Sequence, residues 1–201
     1  MLASINPLGE RSRNRSWSTT VSWYVAGSIL GGAVLGATLG GLGAVLDRAV
    51  SPTSVGVAAA AGVLGVAALA FELHLGGLVL PTVRRQVDEG WLASYRSWVY
   101  AGGFGFQLGL GVVTVVTTAT VYLAWAFAVL AGSVGAGLAI GIAFGAARAL
   151  PMLLVAQVDT PGDLREALRR FSSWAPAARR LSTAMTALVP VAVVLAAWGA
   201  S

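Results

Sequence analysis

Residues 97–147 carry no charged side chain. No aqueous fold of this size accommodates such a stretch easily. It is too long for one membrane helix, which needs about 20 apolar residues, and right for a helical hairpin. Of the 201 residues, 57% are hydrophobic and only 10% charged, against about 25% charged in a soluble domain. A chain this short cannot hide that much apolar surface in a water-facing core, so lipid must serve as solvent. The expected fold is all-α, a polytopic transmembrane helix bundle.

Spans follow from apolar length. The first is expected at 20–46, after a basic amino-terminal segment, 1–19; Asp47, Arg48 and Pro52 then mark a turn. The second runs over 53–80 and ends at Pro81. The uncharged stretch divides at Gly132, Ser133 and Gly135 into a third span, 98–130, and a fourth, 133–158. The fifth is 181–198. Residues 20–201 thus read as a single transmembrane domain of about five spans, six remaining open. The apolar run after Arg15 exceeds the roughly 7–15 residues of a signal peptide and reads as a retained helix.

Charge sets the orientation. All 13 basic residues are arginine. Eleven cluster before the first span, between the second and third, and between the fourth and fifth; Arg48 stands alone in the other connectors, and Arg148 falls within the fourth span. The positive-inside rule then places the amino terminus in the cytoplasm. Trp17, Trp23, Trp91, Trp98 and Trp174 fall near the same boundary, where indole rings prefer to sit. This pattern explains the net charge of +5 by topology, and nucleic acid is not an expected partner. The absence of lysine beside abundant Ala, Gly and Val points to a GC-rich bacterium and its inner membrane.

Two inner connectors are amphipathic. Val87, Trp91 and Tyr95 recur at spacing four, as do Leu164, Leu168 and Phe171 near that spacing, so two interfacial helices are expected. Thr160-Pro161-Gly162-Asp163 supplies an N-cap, an N1 proline and an acidic N3 residue.

The second and fourth spans open alike, with Ser54-Val55-Gly56 and Ser133-Val134-Gly135, and Trp23-Tyr24-Val25-Ala26-Gly27 parallels Trp98-Val99-Tyr100-Ala101-Gly102. Two helix-pair repeats plus a final helix are one reading of this. It makes Glu72 and Arg148 equivalent, and predicts an intramembrane ion pair between them with His74 or Gln107 nearby, since a lone charge in a membrane helix is costly. Structural glue and snorkelling of Arg148 to the surface are the plainer alternatives.

The third span brings glycines and threonines. Gly105 and Gly109, like Gly141 and Gly145 in the fourth, have the small-xxx-small spacing that lets helix backbones approach. Gln107, Thr114, Thr117 and Thr118, with Glu72, His74 and Arg148, are candidates to line a polar substrate path; packing is the simpler role. The glycines lack the strand and lysine of a nucleotide loop. Without cysteine and with one histidine, thiol redox chemistry and a metal site built by this chain alone are not expected. No cofactor signature or catalytic triad is visible, so an enzyme ranks last.

Phe71-Glu72-Leu73-His74-Leu75-Gly76-Gly77-Leu78 with Pro81, Phe104-Gly105-Phe106-Gln107-Leu108-Gly109-Leu110-Gly111, and 137–154 resemble helices of the membrane domain of the DsbD/CcdA superfamily, which sits near the LysE-type exporters. The resemblance implies a scaffold of six helices in inverted halves. Val113-Thr114-Val115 stands where that family's proline-cysteine would fall. What the resemblance then implies is the scaffold, used for solute export or for holding a partner. Two functions are therefore expected: a small transporter or exporter of an ion or polar solute, or else a non-catalytic membrane subunit or assembly factor. The second would bind partner helices, lipid or pigment. A symmetric homo-oligomer with a hydrated midplane cavity would favour the first, and obligate co-purification with other membrane subunits the second.

Overall fold

In a computed structural model, the described residues are 7–77, 95–111, 118–153, 156, 158 and 160–199. They form seven α-helices: α1 (Pro7–Ser12), α2 (Trp17–Val50), α3 (Ser54–Glu72), α4 (Ser97–Leu110), α5 (Thr120–Leu130), α6 (Val134–Leu153) and α7 (Pro161–Gly199). Helices α2, α3, α6 and α7 are each long and apolar enough to cross a membrane. The protein is an all-α, polytopic membrane helix bundle.

Local sequence sets several boundaries. Helix α2 stops where Ser51 turns left-handed, its N–H donating to the Asp47 carbonyl, and Pro52 follows. Thr53 then caps α3 by accepting the Gly56 N–H at 3.1 Å. The expected cap at Thr160 is present and reciprocal: Thr160 Oγ1 accepts the Asp163 N–H, and the Asp163 carboxylate accepts the Thr160 N–H. The hairpin turn also falls as expected, with Gly132 at φ 58° between α5 and α6.

Three expectations are corrected. The second span was expected to reach residue 80, but α3 ends at Glu72, and His74 takes a left-handed φ of 53°. The third, expected over 98–130, is broken. Helix α4 stops at Leu110 because Gly111 adopts φ 69° and donates to the Leu108 carbonyl. The inner amphipathic segment after residue 160 is not a separate helix. It is continuous with the fifth span in the 39-residue α7, with Leu164, Ala167 and Phe171 packed on the bundle end. The other expected interfacial helix, around Val87 and Trp91, lies outside the described residues.

Helix α2 is the axis, packed between α4 and α6; α5 bridges this trio to α3, which pairs with α7. At the amino-terminal end of α2, Trp23 and Trp98 rings lie 5.8 Å apart, with Tyr24, Tyr100, Phe104, Ala149 and Met152 buried beneath. At the opposite end, Gly43 abuts the Val129 carbonyl of α5. Helices α4 and α5, of 14 and 11 residues, are individually too short to cross. Together they run from one end of α2 to the other as one interrupted crossing.

Candidate functional site

Interhelical spacing in the trio is set by glycine. A Cβ on Gly105 would collide with the Tyr24 carbonyl, one on Gly109 or Gly145 with the Ser28 carbonyl, and one on Gly141 with the Gly32 carbonyl. These four glycines thus lie where a neighbouring helix backbone comes close. Their counterparts on α2, Gly27, Gly31, Gly32, Gly36 and Gly40, were not singled out from sequence. They touch the backbones of α4 and α6 just as closely, Gly40 meeting the Ser133 carbonyl and Gly36 that of Gly137. Spacing of four in Gly32, Gly36 and Gly40 was the available signal. Ser28 adds a buried hydrogen bond, its hydroxyl donating to the Gly145 carbonyl at 2.7 Å. Backbones this close leave no room for a polar path between these helices.

The second feature is the interrupted crossing. Gly109 lies at the level of Ser28 and Gly32, while Val121 and Trp125 pack against Leu35 and Leu39. The last turn of α4 and the first turns of α5 therefore both face the middle of α2. A helix starting at that depth exposes N–H groups that lipid cannot satisfy. Glu72 resolves this: its carboxylate accepts the Ala119 N–H at 2.8 Å, at the positive end of α5. Next to it, Thr120 Oγ1 shares a hydrogen bond with Ser182 at 2.7 Å and lies 3.5 Å from the buried Thr186 hydroxyl. Helices α3, α5 and α7 are thereby pinned together by polar groups inside an apolar region.

The expected Glu72–Arg148 ion pair does not form. Helices α3 and α6 do not pack against one another, and the Glu72 carboxylate is engaged as a cap. Arg148 lies with its guanidinium 5.5 Å from the centroid of the Phe144 ring, a cation–π arrangement. The sequence likeness of the two helices therefore did not translate into equivalent places. His74 is exposed beyond the end of α3, Gln107 is half-buried on α4, and Thr118 precedes α5. Thr114 and Thr117 lie outside the described residues. Among the described residues, these polar groups form no continuous row.

Among the described residues, the most buried charge was not anticipated. Glu10 on α1 is fully buried. Its carboxylate accepts the Tyr100 hydroxyl at 2.5 and 2.6 Å and the Thr20 hydroxyl at 2.6 Å. Arg13 pairs with it at 3.3 Å, and Arg15 lies 5.4 Å over the Tyr100 ring while donating to the Tyr95 carbonyl. This cluster ties the amino-terminal segment to α2 and α4. In the sequence, Glu10 was hidden by Arg11, Arg13 and Arg15, whose count served topology alone.

Among the described residues, no group of three His, Cys, Asp or Glu side chains is placed to hold a metal. No known protein-family model matches the chain, and no solved structure does. Curated relatives do. The chain is similar to methylamine utilization proteins. It is 32% identical over 152 residues to methylamine utilization protein MauF of Paracoccus versutus, covering 75% of this chain and 55% of that protein. Identity is again 32% to the MauF protein of Methylorubrum extorquens, over 76% of this chain and 52% of that one. With the MauF protein of Methylophilus methylotrophus it is 32% over 158 residues, 75% of this chain and 53% of that one. The chain thus spans about half the length of the curated relatives it matches. These relatives are bacterial.

Proposed function

We propose that this protein is a non-catalytic membrane subunit or assembly factor serving a bacterial methylamine utilization system. The observation that carries the proposal is the similarity to MauF proteins over three quarters of the chain. The packing supports it. The helices meet through glycine backbones, and Glu72, Thr120, Ser182 and Glu10 are engaged in caps and bridges, which suits a scaffold better than a solute path. The likeness to the DsbD/CcdA-type domain belongs to the same proposal: without cysteine, such a scaffold holds a partner and passes no electrons through thiols. The protein sits in the cytoplasmic membrane with its amino terminus inside, as the arginine bias directs.

The test is genetic and then biochemical. Deleting the gene in its own bacterium should abolish or strongly slow growth with methylamine as sole nitrogen source, leave growth on ammonium intact, and be reversed by a plasmid copy. Unimpaired growth on methylamine would refute the pathway. Methylamine uptake, measured in the deletion strain with a radiolabel, should stay within about twofold of the parent; loss of uptake would return the transporter reading.

A further inference from the structure

Trp125 on α5 is buried, at 6% exposure. Its indole Nε1 is, among the described residues, the buried side-chain nitrogen or oxygen left without a hydrogen-bond partner. An indole nitrogen can only donate, so it needs an acceptor. Its surroundings are apolar: Leu35 and Leu39 of α2 and Phe144 of α6 pack against the cluster that Trp125 forms with Val121. Leu35 and Leu39 stand at the middle of α2, away from both membrane surfaces. An N–H shut in at that depth loses its hydration, and lipid offers nothing in return, which is costly.

The same nitrogen stands beside the end of α4. A Cβ built on Gly111 would lie 3.3 Å from Trp125 Nε1 and 3.0 Å from the Phe144 ring. Gly111 closes α4 with its left-handed φ and its bond to the Leu108 carbonyl. A helix that ends leaves carbonyls of its last turn without the N–H groups that a further turn would supply. One donor in need of an acceptor thus meets a helix end rich in acceptors in need of donors, and the indole does not reach those carbonyls itself. Water is the smallest molecule that joins them, since it accepts the N–H and still has two hydrogens to give. Buried waters typically make about three such bonds, and ordered water is one means by which helix breaks inside membranes are satisfied. The Phe144 ring, with its centroid 4.4 Å from that of Trp125, is a weak acceptor by comparison, and it already faces the Arg148 guanidinium.

We propose that a single water molecule is bound inside the membrane at the break between α4 and α5, accepting the Trp125 N–H and donating to carbonyls of the last turn of α4. Both sides of the break are then satisfied from outside their own helices, α5 by Glu72 and α4 by the water, and the water ties α4 to α5. The site does not depend on which pathway the protein serves.

Nuclear magnetic resonance of the full-length protein in lipid nanodiscs, with isotope-labelled tryptophan, tests this directly. The seven tryptophans give seven indole N–H signals. Trp125→Phe removes one and so assigns it; Phe144→Leu, which takes away the neighbouring ring current, assigns the same signal independently if the first variant does not fold. The Trp125 indole proton should lie downfield, as for an N–H bonded to oxygen, and should show a direct cross-peak to water that persists in Phe144→Leu. A water-soluble paramagnetic chelate should bleach the half-exposed Trp23 and Trp98 indoles and leave this signal intact. An upfield signal with no water cross-peak would place the N–H on the Phe144 ring. A downfield signal with no water cross-peak would place it on a protein oxygen, and bleaching by the chelate would mean open access to solvent. Each of these three results would overturn the bound water.

Discussion

Glu10 shows what one side chain can do in a bundle end. A buried carboxylate is tolerable only with its lone pairs filled, and two hydroxyls and a guanidinium fill these. Glu10→Ala leaves the buried Tyr100 hydroxyl short of an acceptor, while Thr20 keeps the Ser16 carbonyl, and should cost about 1–3 kcal/mol. Glu10→Gln keeps an acceptor and should cost less. Thermal unfolding in detergent gives the ranking, and limited proteolysis should show the amino-terminal segment released first in the alanine variant. The glycines provide the complementary contrast. Gly32→Ala places a methyl against the Gly141 carbonyl and should destabilise by about 1–3 kcal/mol or more. Gly41→Ala meets only Val134 Cγ2 at 3.6 Å, an ordinary contact, and should be nearly silent in the same assay.

At the scale of elements, the interrupted crossing depends on two residues far apart in sequence. Gly111 ends α4 in a conformation that costs about 1–2 kcal/mol for a residue with a Cβ, and its added methyl would also press on the Phe144 ring at 3.0 Å. Gly111→Ala should therefore destabilise the fold. Glu72 starts α5 from outside. Glu72→Ala removes the acceptor of the Ala119 N–H and should cost about 0.5–2 kcal/mol, the usual range for a lost cap. Hydrogen exchange is the discriminating measurement: amides of the first turn of α5 should lose protection while those of α2 keep theirs. If Glu72 instead served a moving ion, Glu72→Gln would change function without touching that protection.

Taken whole, the molecule is a trio of glycine-packed helices with a second, looser pair attached through α5. Its orientation is testable because the chain has no cysteine. Cysteine at Arg48 should react with a membrane-impermeant thiol reagent in intact cells, and cysteine at Arg165 only after lysis; the reverse result would invert the topology. Much of this plan is legible from apolar length and charge. The span limits near Pro52 and Gly132, and the Thr160 cap, follow from local turn and cap chemistry acting within a few residues. The broken third span was less legible, because uniform hydropathy across 98–130 hides a backbone defect.

Apolar content and the distribution of arginine were enough to determine a membrane bundle and its expected orientation, because transfer into lipid sums over residues regardless of their neighbours. Which charges meet was decided by tertiary structure alone. Glu72 found a backbone N–H on α5 and Arg148 a phenyl ring, while Glu10 was enclosed by two helices. Such pairings depend on which helix faces which, and that is set by where glycine lets backbones touch, a property of both surfaces at once.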